Sequence, residues 1–562
     1  MLPKLSLLCK SFFTNILRRK IKLQTEQNRS FCYKKTLTVL EQLAHPYGLS
    51  RGTICCSSGG LQMKKTANNT LILTLTNVFN RIIGFAFRIA LIRIAGIEAI
   101  GLWQMITPLY FLFYVIASAG LPIATSRLVA EYRAKNDPRG VQRAFRTAIY
   151  LALAFGVAAT FLLSLLAGFF SQRVLRDQRL TLALLIIAPS LPLVAASAVF
   201  RGYFQGLEKI RIVSSSLIVE EFVHIAATLS LVAVTIGKGP GLLAAAFAAG
   251  SLLSEVAGLG VYLIAFPLFH LNSPGTSGPT SIHMLGRILH IGIPATASRL
   301  LYSLAQLAQS IIIPTRLRAA GWSVSQAAVA YGELTGMALN LLFLPSLFTV
   351  AMAATLLPQI TTAISRSNQT QAQAIFLRAI NWTTLISLPL AALLISLGKP
   401  MCLVLFSSGS AGQLLSLLAW GGLLLYTQQV ATATLQGLGK PALPLLASFA
   451  GMVISGCLLF VLIPTWQMQG VAVGLICGWA TTGALSLFLV QRHLPFMHQF
   501  WPHLFRTTCA AGLCGLAAHN IFLHCLANSG QVFSSLVCAG LGAAITYLVA
   551  AGYTISRQFA RE

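Results

Sequence analysis

The sequence predicts an all-α protein embedded in a membrane, with about fourteen spanning helices arranged as two parallel six-helix lobes followed by two additional helices. Composition is the first observation behind this: 56% of the 562 residues are hydrophobic, only 9% are charged, and mean hydropathy is +0.76, whereas an ordinary soluble protein is about 25% charged. The second is a series of fourteen apolar runs, each long enough for the roughly 20 residues that a hydrocarbon crossing requires. The third is an internal repeat whose spacing matches six spans.

Residues 1–62 differ in character from the rest of the chain. They carry Arg18, Arg19, Lys20, Lys22, Lys34 and Lys35 and no spanning run. An Arg-rich, acid-poor leader fits an organelle transit peptide, but Met63-Lys64-Lys65 directly before the first span resembles a natural cytoplasmic start. The leader is therefore expected to be a disordered tail or an over-long reading of the gene.

The runs lie near 68–93, 101–126, 146–170, 180–201, 212–236, 242–268, 286–315, 327–357, 374–397, 413–435, 443–463, 470–491, 504–525 and 532–555. Pro108, Pro122, Pro189, Pro192, Pro294 and Pro345 fall inside them; spanning helices tolerate proline where neighbours satisfy the freed carbonyls, and such kinks suit a moving transporter. With residue 65 cytoplasmic, the Arg127–Arg146 loop holds six basic residues and falls inside. The inside loops together hold about fifteen Lys or Arg and the outside loops about eight, the sense of the positive-inside bias. Arg173, Arg176 and Arg179 run against it. Both termini are then expected to be cytoplasmic.

Phe204-Gln205-Gly206-Leu207-Glu208-Lys209 recurs as Leu435-Gln436-Gly437-Leu438-Gly439-Lys440, an offset of 231, and Leu121-Pro122 with Thr125 recurs as Leu357-Pro358 with Thr361, an offset of 236. Two matches at nearly one offset favour a duplicated six-span unit. Six is even, so both copies enter the membrane the same way round, an arrangement that puts a substrate site between the halves. The expected domains are an N-lobe over 63–270, a cytoplasmic linker of Ser, Gly and Pro over 271–283, a C-lobe over 284–497, and two added helices with a short tail over 498–562.

The most informative span is the first. At about 100° per residue, Asn77, Arg81, Gly84 and Arg88 share one face of an otherwise apolar helix. Arginine at mid-bilayer costs roughly 2.5–3.5 kcal/mol and nearly always faces a bundle interior or a watery cavity. This face reads as one wall of a polar chamber. The plainer alternatives are that the arginines snorkel to the headgroups, as Arg93 is expected to, or that Arg88 pairs with a buried acid.

Other intramembrane polar residues are sparse. On the fifth span Ser216, Glu220 and His224 recur at steps of four and share a face; they fit a proton- or Na⁺-coupling site, or an ion pair that satisfies itself or counters an arginine. The seventh carries Arg299, Ser303, Gln306 and Ser310 on one side, a second candidate wall or a packing stripe of small polar contacts. On the eighth, Glu333 with Gly336 and Asn340 is a coupling candidate or a structural counter-ion. Glu255 and His290 are read as uninvolved, Arg201 as a cytoplasmic anchor, and Glu131 as a solvated helix end.

Several classes are excluded or disfavoured. The net charge of +28 suits nucleic acid only when it lines a soluble face, and here it is scattered between apolar spans. The eleven cysteines show no C-x-x-C or zinc spacing, so no metal or redox role is assigned. No P-loop is present and no loop is large enough for soluble catalysis. The chain is expected to be a non-enzyme without cofactor, acting as a monomer.

The motifs carry a resemblance to a known family. Asn80-Arg81-Ile82-Ile83-Gly84-Phe85, Ala119-Gly120-Leu121-Pro122 with Ala130-Glu131-Tyr132, Phe200-Arg201-Gly202-Tyr203-Phe204-Gln205-Gly206, Tyr331-Gly332-Glu333-Leu334-Thr335-Gly336 and Leu435-Gln436-Gly437 resemble the stage V sporulation protein B-like polysaccharide flippases of the multidrug/oligosaccharidyl-lipid/polysaccharide (MOP) exporter superfamily, from Lys64 to about Arg557. The resemblance implies a MATE-like fold of two lobes around a central cavity and a cargo of lipid-linked sugar, moved outward by alternating access for polysaccharide or peptidoglycan synthesis, including spore cortex. In the related lipid II flippases an arginine at the position of Arg81 lines the cavity and is thought to meet the diphosphate. Those proteins carry an Arg-Asp pair where this chain has Phe87-Arg88. The sporulation type carries Glu-Gln and an arginine where Glu220, Glu221 and His224 stand.

The expected chamber is thus basic, with Asn77, Arg81, Arg88, Arg299 and Gln306 toward the substrate and Glu220, His224 and Glu333 as ion-coupling candidates. A cation-coupled drug or metabolite exporter of the same fold is the alternative, and would want acids where a diphosphate wants arginines. A membrane scaffold would explain the spans but not the arginine faces.

Overall fold

A computed structural model of the chain describes residues 57–269 and 282–560. Most of the expected leader and of the linker lies outside the described residues. Every described element is helical, as apolar surroundings demand, because a lone backbone in hydrocarbon can satisfy its N–H and C=O groups only within itself. The protein is a polytopic membrane protein.

The helices fall into fourteen rods. They are α1 (Ser57–Ala95), α2 (Ile97–Ser118 and Leu121–Ala134), α3 (Pro138–Phe169 and the π turn Phe170–Val174), α4 (Gln178–Leu180, Thr181–Ile187 and Ser190–Gly206), α5 (Ile210–Thr235), α6 (Pro240–Phe269) and α7 (Ile282–Ala319). Then come α8 (Val324–Gly332, the π turn Glu333–Ala338, Leu339–Leu342 and Ser346–Ser365), α9 (Gln369–Phe406) and α10 (Gly409–Leu418, Ala419–Gly421 and Gly422–Gly437). The helix Ala442–His493 is broken at Gln467 into α11 (442–466) and α12 (468–493); α13 (Met497–Ser529) and α14 (Val532–Ala560) close the chain. The turns at 96, 175–177, 236–239, 320–323, 407–408, 467 and 530–531 lie at one end of the bundle, called the Gly96 end. The turns at 135–137, 207–209, 366–368, 438–441 and 494–496, with the end of α6 at Phe269 and the start of α7 at Ile282, lie at the other, called the linker end.

Among the described residues, ten helices, with Ala442–His493 counted as one, or eleven with the bent α4 pair taken as one, are long and apolar enough to cross a membrane by length and composition. Neither α1 nor α7 is among them, although they are 39 and 38 residues long. These two open the two halves and carry the arginine stripes read from the sequence.

The repeated motifs take the same local structure. At the first copy the N–H groups of Leu207, Glu208 and Lys209 bond to the carbonyls of Tyr203, Gln205 and Phe204; at the second, those of Leu438, Gly439 and Lys440 bond to Thr434, Gln436 and Leu435. The left-handed position of this helix stop is Glu208 (φ 59°) in one copy and Gly439 (φ 75°) in the other, so glycine relieves in the second a strain carried in the first. The recurring Leu-Pro segments sit beside these stops. Gly202 of α4 abuts Pro122 of α2, and Gly437 of α10 abuts Leu357 of α8.

The last two rods dock on α9. Leu385, Leu388 and Leu397 meet Ala510, Cys514, Ala518 and Phe522 of α13 and Ala539, Ala543, Tyr547 and Ala551 of α14 in one buried cluster. The spacing of four along α14 is the small-residue seam by which helices approach closely in lipid. The Tyr547 hydroxyl donates to the Leu385 carbonyl at 2.6 Å.

Candidate functional site

The arginine face of α1 is held against α5 and α2. Leu91 and Ile92 are buried, and the Asn80 amide donates to the Leu217 carbonyl of α5 at 3.0 Å. Between α1, α2, α5, α6 and α8 lies a cavity of about 370 Å³, whose polar wall includes Asn80, Arg81, Arg88, Gln104, Glu221, His224 and Asn340. Phe85, Phe87, Leu91, Ile100, Trp103 and Phe247 supply the apolar wall. Asn77 is exposed one turn further toward the linker end and is not part of the lining; Asn80 takes the place expected of it.

Electrostatically the chamber is positive. Arg81, Arg88 and His224 lie in a chain of mutual electrostatic reach. Among the described residues, the ion pairs at Arg133, Lys135, Arg143, Arg179 and Arg287 include neither Arg81 nor Arg88. The one carboxylate in the wall, Glu221, lies against Gly84, where an added Cβ would meet its Oε1 at 2.9 Å. Two guanidiniums against a single acid, backed by aromatic rings in a poorly screened setting, present forked donors to an anion.

The stripe on α5 faces α6. The Ser216 hydroxyl donates to the Gly258 carbonyl at 2.9 Å, Glu220 packs on Gly258, and His224 Nε2 is 3.4 Å from Ser251 Oγ. The His224 ring also meets Phe87 edge-on at 5.4 Å between centroids, so His224 bridges the stripe and the chamber. Glu220 does not reach the chamber; its neighbour Glu221, about 100° round the helix, does.

Glu220 belongs instead to a second polar cluster that the sequence reading missed. Arg201 of α4 and Glu255 of α6 lie within electrostatic reach of Glu220, with Tyr262 and Tyr114 beside Arg201. The Ser190 hydroxyl donates to Tyr110 at 2.9 Å in the same region. The expectation that Arg201 is a surface anchor and Glu255 a bystander is corrected. The available signal was the charge itself: three ionisable groups in three apolar helices are costly apart and tolerable together.

The α7 stripe does not join the chamber. Arg299 is exposed and approaches Tyr114. Gln306 donates to Tyr302 of its own helix at 3.0 Å, and the buried Ser303 and Ser310 hydroxyls return to the carbonyls of Leu300 and Leu307. Glu333 starts the π turn of α8, where its Oε1 accepts from Ser410 and, at 2.7 Å, from Ser408; it lines a different cavity. Of the eighth-span stripe it is Asn340 that reaches the chamber, its amide donating at 2.8 Å to the Thr335 and Gly336 carbonyls beside the π turn.

Contacts join the halves at both ends of the bundle. At the Gly96 end α2 and α8 touch backbone to backbone, since a Cβ on Gly101 would stand 1.9 Å from the Ala328 carbonyl oxygen. Arg93 is not free to snorkel: its Nε donates to the Leu405 carbonyl at 3.1 Å and its Nη2 to Val404. Toward the linker end Arg287 of α7 bonds Glu131 of α2 at 2.7 Å and the Tyr132 hydroxyl at 2.6 Å, so Glu131 is an interhelical partner and not merely a solvated end.

Residues 66–364 match the family described as polysaccharide biosynthesis protein. The chain is 30% identical over 441 residues to "Stage V sporulation protein B" of Bacillus subtilis (strain 168), covering 76% of this chain and 83% of that one. Among solved structures it is similar to "Lipid II flippase MurJ, inward closed conformation", with a TM-score of 0.67 at 14% identity, covering 87% of this chain and 100% of that one. It is also similar to the inward-facing conformation of a multidrug resistance MATE family transporter of the MOP superfamily, with a TM-score of 0.62 at 18% identity, covering 74% and 94%. At these identities the two structures speak for the fold, which is MATE-like.

Proposed function

The chain belongs to the polysaccharide biosynthesis protein family, and from that premise we propose that it carries a lipid-linked saccharide, a polyprenyl diphosphate with its sugar head, from the cytoplasmic to the outer leaflet by alternating access. The Gly96 end is then the outer face, both termini are cytoplasmic, and the membrane is a bacterial plasma membrane. The cargo serves wall or polysaccharide synthesis, spore cortex included. The relative's name places that relative in sporulation, and the named solved structure is a lipid II flippase; both accord with this reading.

One observation carries it: Arg81 and Arg88 line a chamber and, among the described residues, neither has a carboxylate in ion-pair contact. A diphosphate that sheds water needs charge-assisted donors in return, and guanidiniums supply them in a planar fork. The volume of about 370 Å³ falls in the range of roughly 300–1,000 Å³ typical of pockets for small ligands, so the diphosphate with its adjoining sugar is the part enclosed. The hydrocarbon chain stays in the bilayer. Arginines are needed only where the head passes.

A second reading, a drug or metabolite exporter coupled to Na⁺ or H⁺, draws on the Glu220–Glu255–Arg201 cluster and on His224 beside the chamber. Both readings share that cluster as a coupling device; they differ in cargo, and the sign of the chamber favours the anion. The test is reconstitution in liposomes with a fluorescent polyprenyl diphosphate saccharide. Wild type is expected to move it and Arg81→Ala to lower the rate at least tenfold. Unchanged transport in Arg81→Ala would remove the role of that residue, and cation-coupled efflux of organic cations with no lipid movement would install the second reading.

A further inference from the structure

Away from the arginine chamber, α9, α10 and α13 enclose a larger space near the Gly96 end. Its polar part, about 1200 Å³, is lined by Lys399, Gln413, Trp420, Trp466, Gln467 and Gln469 among others. A second part, about 610 Å³, lies deeper between Leu388 and Ala392 of α9, Leu423 of α10, and Gly512 and Leu516 of α13. The two share Ile395, Ser396, Trp420 and His519 as a common wall. They form one amphipathic space, polar at its mouth and apolar toward the middle of the rods.

The polar mouth shows signs of a built site. Trp420 and Trp466 are 70% and 55% exposed, large indoles left facing open space. Gln467 holds φ 50° and ψ −127°, a backbone conformation that a residue with a side chain rarely adopts and that tends to persist where function maintains it. A glycine would hold that turn without strain, yet the chain has glutamine there, between Trp466 and Met468 and followed by Gln469. Glu333, at the π turn of α8, also lines the mouth, with both serine hydroxyls on a single oxygen, Oε1.

The chemistry of this lining is that of a saccharide site. A pyranose ring has an apolar C–H face and a rim of hydroxyls, each both donor and acceptor. Indoles cover the face with large apolar area, and the three glutamine amides each offer a donor and an acceptor to the rim. Lys399 adds a positive donor for an acidic group, and His519 a ring nitrogen for a hydroxyl. A free sugar leaves the apolar arm unused, and an ordinary phospholipid, which indoles at the headgroup level also suit, leaves the three glutamine amides unused. We infer that this space is a second binding site, for a lipid-linked saccharide at the Gly96 leaflet, with the sugar head among the tryptophans and glutamines and the hydrocarbon chain along α13. The inference rests on the proposed transport of such lipids and adds a place where the cargo is held outside the chamber.

The test uses the full chain in proteoliposomes and a polyprenyl diphosphate disaccharide with a diazirine in its hydrocarbon chain, the labelled residues being mapped after irradiation. Controls are the same polyprenyl diphosphate without sugar and a diazirine-labelled phosphatidylglycerol. Label is expected between 388 and 392 and between 512 and 516. Removal of the sugar, Gln413→Ala, or Gln467→Gly, which keeps the backbone unstrained while deleting the amide, should each lower it at least fivefold, with phosphatidylglycerol labelling unchanged. Sugar-independent labelling, or labelling indifferent to both substitutions, overturns the site. Transport measured in the same vesicles separates the two ideas: movement lost in Arg81→Ala together with sugar-independent labelling sinks this site alone, whereas sugar-dependent labelling without wild-type transport keeps the site and sinks the transport reading.

Discussion

Arg93 and Arg318 make the same kind of contact in opposite directions. Arg93, at the end of α1, donates to the carbonyls of Val404 and Leu405 in the last turn of α9; Arg318, at the end of α7, donates to the carbonyls of Leu175 at 2.9 Å and Arg176 at 2.7 Å, just past the last turn of α3. In each case the first helix of one half caps the third helix of the other. The last carbonyls of a helix lack partners and carry the negative end of its dipole, so a guanidinium satisfies both needs at once. Together the two contacts bar the Gly96 end.

That pairing has a measurable consequence. A hydrogen bond involving a charged group contributes about 1.5–3 kcal/mol when sheltered, and less at an exposed mouth. Arg93→Ala and Arg318→Ala should each shift the population toward opening at the Gly96 end, and the double substitution more than either. In a cysteine-depleted background, spin labels at Lys238 and Ser323, both exposed and on opposite halves, should report a longer distance population that grows in that order. An unchanged distance distribution in the double variant would show that the arginines do not hold the mouth.

At the other end, the Arg287–Glu131 pair joins α7 to α2 with about a third of each side chain exposed, 29% and 33%. A pair of this exposure is screened by solvent and adds little to stability. Glu131→Gln and Arg287→Ala should therefore lower thermal stability only slightly, while the exchange Glu131→Arg with Arg287→Glu restores it in part. Transport should respond more than melting does. A double-mutant cycle with zero coupling would reduce the contact to an idle surface pair.

The sequence made the fold legible because hydrophobic run length depends on little but the thickness of hydrocarbon, and because Pro122, Pro345 and the two Gln-Gly stops mark the breaks directly. The site was legible only in part. Helical period gives the angle of a residue about its own axis, which is enough to group Arg81 with Arg88, but not the helix that covers it. Hence the stripe Ser216, Glu220 and His224 is real yet turns toward α6, and Glu221, off the stripe, meets the chamber. The α7 stripe bonds back to its own carbonyls, a local outcome that period alone does not separate from a cavity wall. Arg201 reads as an anchor and Glu255 as uninvolved in the sequence because their partners lie on other helices.

The chamber's sign gives a prediction that separates cargo classes. Glu221→Gln removes the one wall carboxylate and leaves Arg81 and Arg88 in place. For an anionic head, transport should be kept or rise up to a few-fold, because a like charge has been withdrawn from the cargo's path. Arg88→Ala should lower it at least tenfold, and Arg88→Lys should recover only part, since an ammonium does not reproduce the planar fork. Loss of transport in Glu221→Gln with tolerance of Arg88→Ala would reverse the assignment and point to a cationic cargo, read out in the same liposome assay.

The backbone contact between α2 and α8 makes the last prediction. Gly101 and Gly332 stand where rods of opposite halves meet, with an added Cβ at Gly101 falling 1.9 Å from the Ala328 carbonyl oxygen and one at Gly332 falling 2.8 Å from that of Ile97. Those atoms are backbone and cannot swing aside as a side chain would. Well-packed interfaces respond to added volume by separating or by shifting backbone, at a typical cost of about 1–3 kcal/mol. Gly101→Ala should destabilise the form closed at the Gly96 end relative to the open one by that order, roughly a five- to 150-fold change in their ratio. The helices themselves favour alanine over glycine by up to about 1 kcal/mol, so overall folding need not suffer. The expected phenotype is a well-expressed protein with a widened Gly96 mouth by spin-label distances and transport lowered at least tenfold, because a carrier that cannot close one gate cannot cycle. Gly101→Ala with wild-type distances and wild-type transport would mean that α2 and α8 part at this point without consequence, and that the gate lies elsewhere.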